Sequence, residues 1–176
     1  MFWGWSNGFS LIECLAVLAI AAVLAAVAVP SFSDTRREAA LTASVNQLVG
    51  ALHFARSAAI ASNTPTVVCL TANGTQCADR SAGESVQGWL VFRNTDGESP
   101  PTLDTADELL RRSDLPDNVF LQASRAALTF WPTARAGTTG TFTLCARQQP
   151  SAARKVVVSQ TGRPRVADRD ASECAS

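Results

Sequence analysis

The sequence predicts an α+β protein: a long N-terminal helix, with a membrane half and an amphipathic half, packed on an antiparallel β-sheet domain. Three observations carry this. An almost unbroken apolar run covers residues 9–29. A more polar stretch follows over 30–64, with apolar residues every three or four positions. Short β-rich runs separated by Gly, Pro, Asn and Asp then fill 65–176.

The apolar run is interrupted only by Ser10 and Glu13. As a helix it is about 31 Å long, close to the hydrocarbon thickness of a bilayer. It reads as a transmembrane helix half, 9–29. A cleaved secretory signal is the competing reading, since Ala26 and Ala28 form an A-x-A site. Against it stand the length of the run, the lack of a basic n-region, and Glu13 inside it. A carboxylate in a membrane segment is costly and marks function by default; the plainer reading is that Glu13, near the helix end, snorkels. Cys14 reads as apolar filler.

In the second half, Leu41, Val45, Leu48, Leu52, Ala55 and Ala59 recur at alternating spacings of four and three. That is one apolar stripe on an amphipathic helix. Gly50 lowers the local propensity without breaking the pattern, and Pro65 ends it. His53, beside the stripe, is a surface or partly packed residue. Beyond Pro65, the runs TVVCLT, GWLVFRN, ELLRR, VFLQAS, ALTFW, TFTLCA and KVVVSQ predict about seven antiparallel strands. The loop NTDGESPPTLDTADE is acidic, Pro-rich and expected to be exposed and mobile.

Net charge is zero, but its distribution is uneven. Asp79–Asp117 carries nine acids and four arginines; residues 118–166 carry no acid and seven bases, including Arg125, Arg135, Arg147, Arg154, Lys155, Arg163 and Arg165. Such asymmetry points to an anionic partner. The alternative is that strands bring the two blocks together and they neutralise each other.

The N-terminus GFSLIE resembles the processing site of type IV prepilins. Gly8, Phe9 and Glu13 match that site residue by residue, and Pro30 falls where many pilins have a helix-kinking proline. The resemblance implies a leader over 1–8, cleavage by prepilin peptidase after Gly8, and N-methylation of Phe9. It also implies that Glu13 pairs with the amine of a neighbouring subunit, as a buried carboxylate needs a cationic partner. The leader has no Lys or Arg, and Arg36 and Arg37 lie beyond the segment. Orientation, with the domain periplasmic and the helix in the inner membrane before assembly, therefore follows from the resemblance and not from charge. GWLVFRNTDG, GTFTLC and VVVSQTGRPRV further resemble the GspH/FimT/FimU group of minor pilins and pseudopilins. Major and minor pilins are the implied protein partners.

Four cysteines, Cys69, Cys77, Cys145 and Cys174, fall in the globular part. In an oxidising compartment they are expected to form two disulfides. Of three possible connectivities, the favoured one joins Cys69 to Cys77 across a short loop and Cys145 to Cys174, tying the tail to the sheet. Neither catalysis nor a cofactor is expected: there is no nucleophile elbow, HExxH or P-loop. Zinc is disfavoured without C-x-x-C and with one histidine. Asp96, Glu98, Asp104, Asp107 and Glu108 are rich in oxygen ligands but lack EF-hand spacing. Asn73 begins a formal glycosylation sequon of little weight in a bacterial pilin.

TGRPR follows the strand KVVVSQ. Gly162 can supply the positive φ of a turn, and Pro164 biases Arg163 toward extended geometry. Arg163 and Arg165 then project to one side, about 6.6 Å apart. The G-R-x-R pattern resembles that of the FimT minor pilins, which bind DNA during natural transformation. The resemblance implies sequence-independent, salt-sensitive binding of extracellular double-stranded DNA through Gly162, Arg163 and Arg165, with Arg147, Arg154, Lys155 and Arg169 as candidate helpers. The alternatives are a pilus-priming minor pilin without DNA binding, and a GspH-like pseudopilin of type II secretion.

Overall fold

The computed structural model describes residues 10–79, 85–133, 139–147, 149–167 and 174, with the side chains of 26–34 and 149–152 outside the description. The chain divides into two units, 1–36 and 37–176.

One helix, α1, runs Leu11–Ser62. Ser10 caps its start, its carbonyl accepting from the amides of Glu13 and Cys14. Asn63, with φ of 52°, turns the chain out at the other end, as an asparagine tolerates in the left-handed region. Position 30 lies within the element despite its proline. In the first unit Leu11, Ile12, Leu15, Leu18, Ile20, Val23 and Leu24 are exposed, as are Glu13 and the free thiol of Cys14. Among the described residues no helix is long and apolar enough to cross a membrane. Phe9 and the side chains of 26–29 of the expected span lie outside the description.

Among the described residues the second unit holds eight strands, against about seven expected, arranged in two sheets. They are β1 Thr66–Thr71, β2 Gly88–Arg93, β3 Glu108–Asp114, β4 Val119–Ala123, β5 Ala127–Phe130, β6 Gly140–Ala146, β7 Gln149–Val158 and β8 Pro164–Ala167. The first sheet has the order β3-β2-β1-β5 and the second β4-β6-β7-β8, all antiparallel. The additional strand, β8, begins with Pro164. Proline lacks the N–H a central strand needs but is allowed as the first residue of an edge strand.

The predicted stripe is the centre of the core. Leu41, Leu48, Leu52, Ala55 and Ala59 are fully buried, with Val45 nearly so. They pack against Val68, Trp89, Val91 and Phe130 from the first sheet and Leu121, Phe142, Leu144, Val156 and Val158 from the second. Both sheets thus turn one face to the helix, and side chains of opposite parity face away. His53 is exposed on the helix surface. The acidic loop is held by its own side chains: Asn94 Oδ1 accepts from the Gly97 amide (2.7 Å), Glu98 Oε1 from the Thr102 amide (2.6 Å) and Asp104 Oδ1 from the Ala106 amide (2.7 Å).

Two substitutions test this packing. Leu48→Ala removes a fully buried side chain and is expected to lower unfolding free energy by about 2–5 kcal/mol. A Cβ at Gly88 collides with the backbone carbonyl of Ser113 across the β2–β3 pair. Gly88→Ala is expected to cost about 1–3 kcal/mol. Urea denaturation of both variants measures the losses.

Candidate functional site

Strands β7 and β8 form a hairpin whose connection explains the residues between them. The Gly162 amide donates to the Ser159 carbonyl (2.8 Å), and the Ser159 amide donates to the Arg163 carbonyl (3.3 Å). Three residues, 160–162, therefore bridge the pair, with Gly162 at φ of 71°. This is a three-residue hairpin loop in which a glycine takes the left-handed position. The Ser159 and Thr161 hydroxyls lie 2.8 Å apart and tie the loop further.

Register decides where the cations point. Val157 opposes Arg165, Lys155 opposes Ala167, and Thr143 opposes Lys155. Val156 and Val158 face the helix, so Lys155, Val157 and Arg165 face away from it. Arg163, paired through its carbonyl with Ser159, continues the same alternation. Both arginines are exposed. Lys155 and Arg165 are diagonal neighbours, about 7–8 Å apart at the backbone.

The other candidate helpers are placed elsewhere. Arg154 lies on the helix side, where its Nη2 donates to Glu38 Oε1 at 3.1 Å. Arg147 sits beyond the opposite end of β6, its guanidinium 5.9 Å from the Phe120 ring, and shares a hollow with Asp114 and Asp117. Arg135 and Arg169 lie outside the described residues, as do Gly8 and Phe9.

The charge asymmetry becomes a segregation by sheet. No carboxylate occurs between Asn118 and Ala167, so the whole second sheet is built without one. The ion pairs Arg93–Glu108 and Arg112–Asp114 are internal to the acidic block, on the first sheet. The two blocks share hollows at Arg147, with Asp114 and Asp117, and at Arg125, with Asp79.

On the outward face, two rows cross the second sheet. One runs Gln122–Thr143–Lys155–Ala167 and the other Ser124–Thr141–Val157–Arg165. Gln122, Ser124, Thr141, Thr143 and Lys155 line one shallow hollow there. Apart from Lys155, the sequence does not single these polar residues out. Their signal is the period of two in TFTLCA, where Thr141 and Thr143 alternate with the core residues Phe142 and Leu144.

Both disulfides form as favoured: Cys69–Cys77 and Cys145–Cys174, with Cα atoms 5.5 and 6.0 Å apart. Cys145, Ala153 and Cys174 cluster with Phe120 on the outward face of the second sheet, so the chain end is tied at the end away from the hairpin. Asn73 Oδ1 accepts from the amides of Thr75 and Gln76 inside the short Cys69–Cys77 loop. Asp96, Glu98 and Asp104 bring carboxylate oxygens within 4.8 Å of one another.

A family profile described as type II transport protein GspH matches residues 44–162, which takes in α1 beyond the first unit and the sheets as far as the hairpin turn. The chain belongs to the GspH family. A second profile, the prokaryotic N-terminal methylation motif, matches residues 6–29 and so spans Gly8, Phe9 and Glu13. The type IV minor pilin FimU of Pseudomonas aeruginosa is similar in fold, with a TM-score of 0.51 at 18% identity over 74% of this chain and 94% of that one. The minor pseudopilin EpsH from the type 2 secretion system of Vibrio cholerae is similar too, with a TM-score of 0.51 at 14% identity over 72% and 94%. No curated protein matches the chain. Membership of the GspH family together with the methylation motif makes this a minor pilin or pseudopilin of the GspH/FimT/FimU group, a structural protein and not an enzyme. Processing by prepilin peptidase and association with other pilins follow from the motif and the family. A motif of this kind goes with membrane anchoring and a periplasmic globular domain.

Two variants test how the hairpin and Cys174 are held. Gly162→Ala forces a Cβ into the left-handed region and is expected to cost about 1–2 kcal/mol. Cys145→Ser with Cys174→Ser opens a closure of 29 residues, for which chain entropy predicts a loss of about 3.6 kcal/mol. Thermal unfolding under oxidising and reducing conditions separates the two.

Proposed function

We propose that this minor pilin binds extracellular double-stranded DNA without sequence preference, through phosphate contacts at the β7–β8 hairpin, for uptake in natural transformation. The observation that carries the reading is the exposed Arg163–Arg165 pair on a hydrogen-bonded hairpin of a sheet that contains no carboxylate. Guanidinium groups suit phosphate oxygens and stay charged at any physiological pH. A stiff hairpin lowers the entropy lost on binding. Lys155 extends the positive surface, and the neighbouring hydroxyls and amide are phosphate and sugar donors.

The reading includes the N-terminus. The leader ends at Gly8, Phe9 becomes the methylated first residue, and Glu13 pairs with a neighbouring subunit's amine in the fibre. Residues 9–29 anchor the chain in the inner membrane before assembly. Two alternatives remain distinct in their consequences. A priming minor pilin predicts loss of pili on deletion, with the arginine substitutions silent. A secretion pseudopilin predicts retained exoproteins on deletion.

The test is a mobility-shift titration of the detergent-solubilised full chain with unrelated duplexes at several salt concentrations. Arg163→Ala with Arg165→Ala is expected to weaken all duplexes alike and to lower the slope of log K against log salt by about 1.8. Lys155→Gln weakens binding more modestly. Arg154→Gln, whose guanidinium faces Glu38, leaves it unchanged. No shift of wild type at low salt removes the DNA reading.

A further inference from the structure

We infer that the arginine hairpin is one end of a longer track, and that Trp131 at the other end is a stacking platform for an unpaired base. The inference rests on the nucleic-acid reading above and names a form of DNA that the hairpin alone does not select.

The track follows from the two rows on the outward face. From Arg165 the row Val157–Thr141–Ser124 crosses three strand spacings, about 14 Å. At its far edge the Ser124 amide donates to the Thr141 carbonyl (2.9 Å), and the Thr141 amide donates to Ser124 Oγ (3.0 Å). Next in the chain, Arg125 is exposed, its Nε donating to the Thr139 carbonyl at 3.2 Å. Arg163 just before β8, Arg165 on it and Arg125 beside β4 thus flank the same end of the sheet, with hydroxyls and Lys155 between them.

Ser124 also lines a second and larger hollow, on the outward face of the first sheet. Arg125, Ala127, Thr129, Pro100 and Trp131 surround it. Trp131 follows β5, where Leu128 and Phe130 enter the core and Thr129 and Trp131 face outward. It is 44% exposed, unlike Trp89, which is fully buried. The outward faces of the two sheets therefore meet at Ser124–Ala126. A cationic path that tracks a phosphate backbone and ends on an exposed aromatic is the composition of a single-strand site. A duplex offers no free base face to Trp131, because its bases are already stacked. Asp79, on the same rim, opposes a phosphate there but accepts a hydrogen bond from a base amino group.

Fluorescence anisotropy tests this, with the full chain in detergent micelles, a labelled thymine-only single strand, and a labelled blunt duplex. Trp131→Ala is expected to weaken single-strand binding about tenfold or more, with duplex binding changed less than twofold. Trp131→Phe keeps an aromatic face and restores most of the single-strand affinity. Arg163→Ala with Arg165→Ala weakens both substrates. Thermal melting of each variant confirms the fold, which an exposed position tolerates. If wild type binds both substrates and Trp131→Ala leaves single-strand affinity intact, or lowers both equally, the stacking inference is overturned while the hairpin reading stands. If wild type binds neither, both fall together.

Discussion

The seating of one helix stripe against two sheets is the interaction on which the rest of this structure depends. Leu41, Leu48 and Leu52 are buried completely, and each such side chain contributes roughly 1.5–3 kcal/mol on leaving water. More important than the sum is its geometry. Because both sheets turn a face to the same helix, every strand residue falls on the helix side or the outward side by parity alone. Val156 and Val158 take the helix side, and this sends Lys155 and Arg165 outward. The outward cationic surface is thus a by-product of core packing: slipping a strand by one residue would exchange its faces.

Charge is then sorted by sheet. The absence of carboxylates from the whole second sheet matters more than the number of arginines, because a single nearby acid can capture a guanidinium. Arg154 shows this directly, one residue from Lys155 yet engaged with Glu38 on the other face. The hairpin adds stiffness. Its glycine turn and the Ser159–Arg163 hydrogen bond hold the two arginines on one side before any ligand arrives. A minor pilin can therefore present a small, preformed cationic edge while its helix and sheets serve assembly.

Much of the fold was legible because periodicity is a local signal. The spacings of Leu41 to Ala59 identified the buried stripe residue by residue, and ALTFW and TFTLCA marked strands. Two disulfides were legible from compartment and cysteine count, their pairing only as the favoured of three, and the positive φ of Gly162 from its place between a strand and a proline. The division into two sheets was not legible, since strand order depends on contacts between residues far apart in the chain. Nor was the exposure of Trp131. In the sequence it closes the strand run ALTFW, and only its parity relative to Phe130 in the folded sheet exposes it.

The sequence by itself determined the long helix, its apolar and amphipathic halves, the family signature at Gly8, Phe9 and Glu13, and the arginines of TGRPR. These are properties of residue type and short spacing, which need no knowledge of the partner strand. Tertiary structure alone decided which cations share a surface: Lys155 joins Arg163 and Arg165, Arg154 turns to the helix, and Arg147 stays beside Asp114 and Asp117. The reason is that side-chain direction in a sheet alternates with every residue, so a surface is defined by cross-strand register, which no single strand encodes.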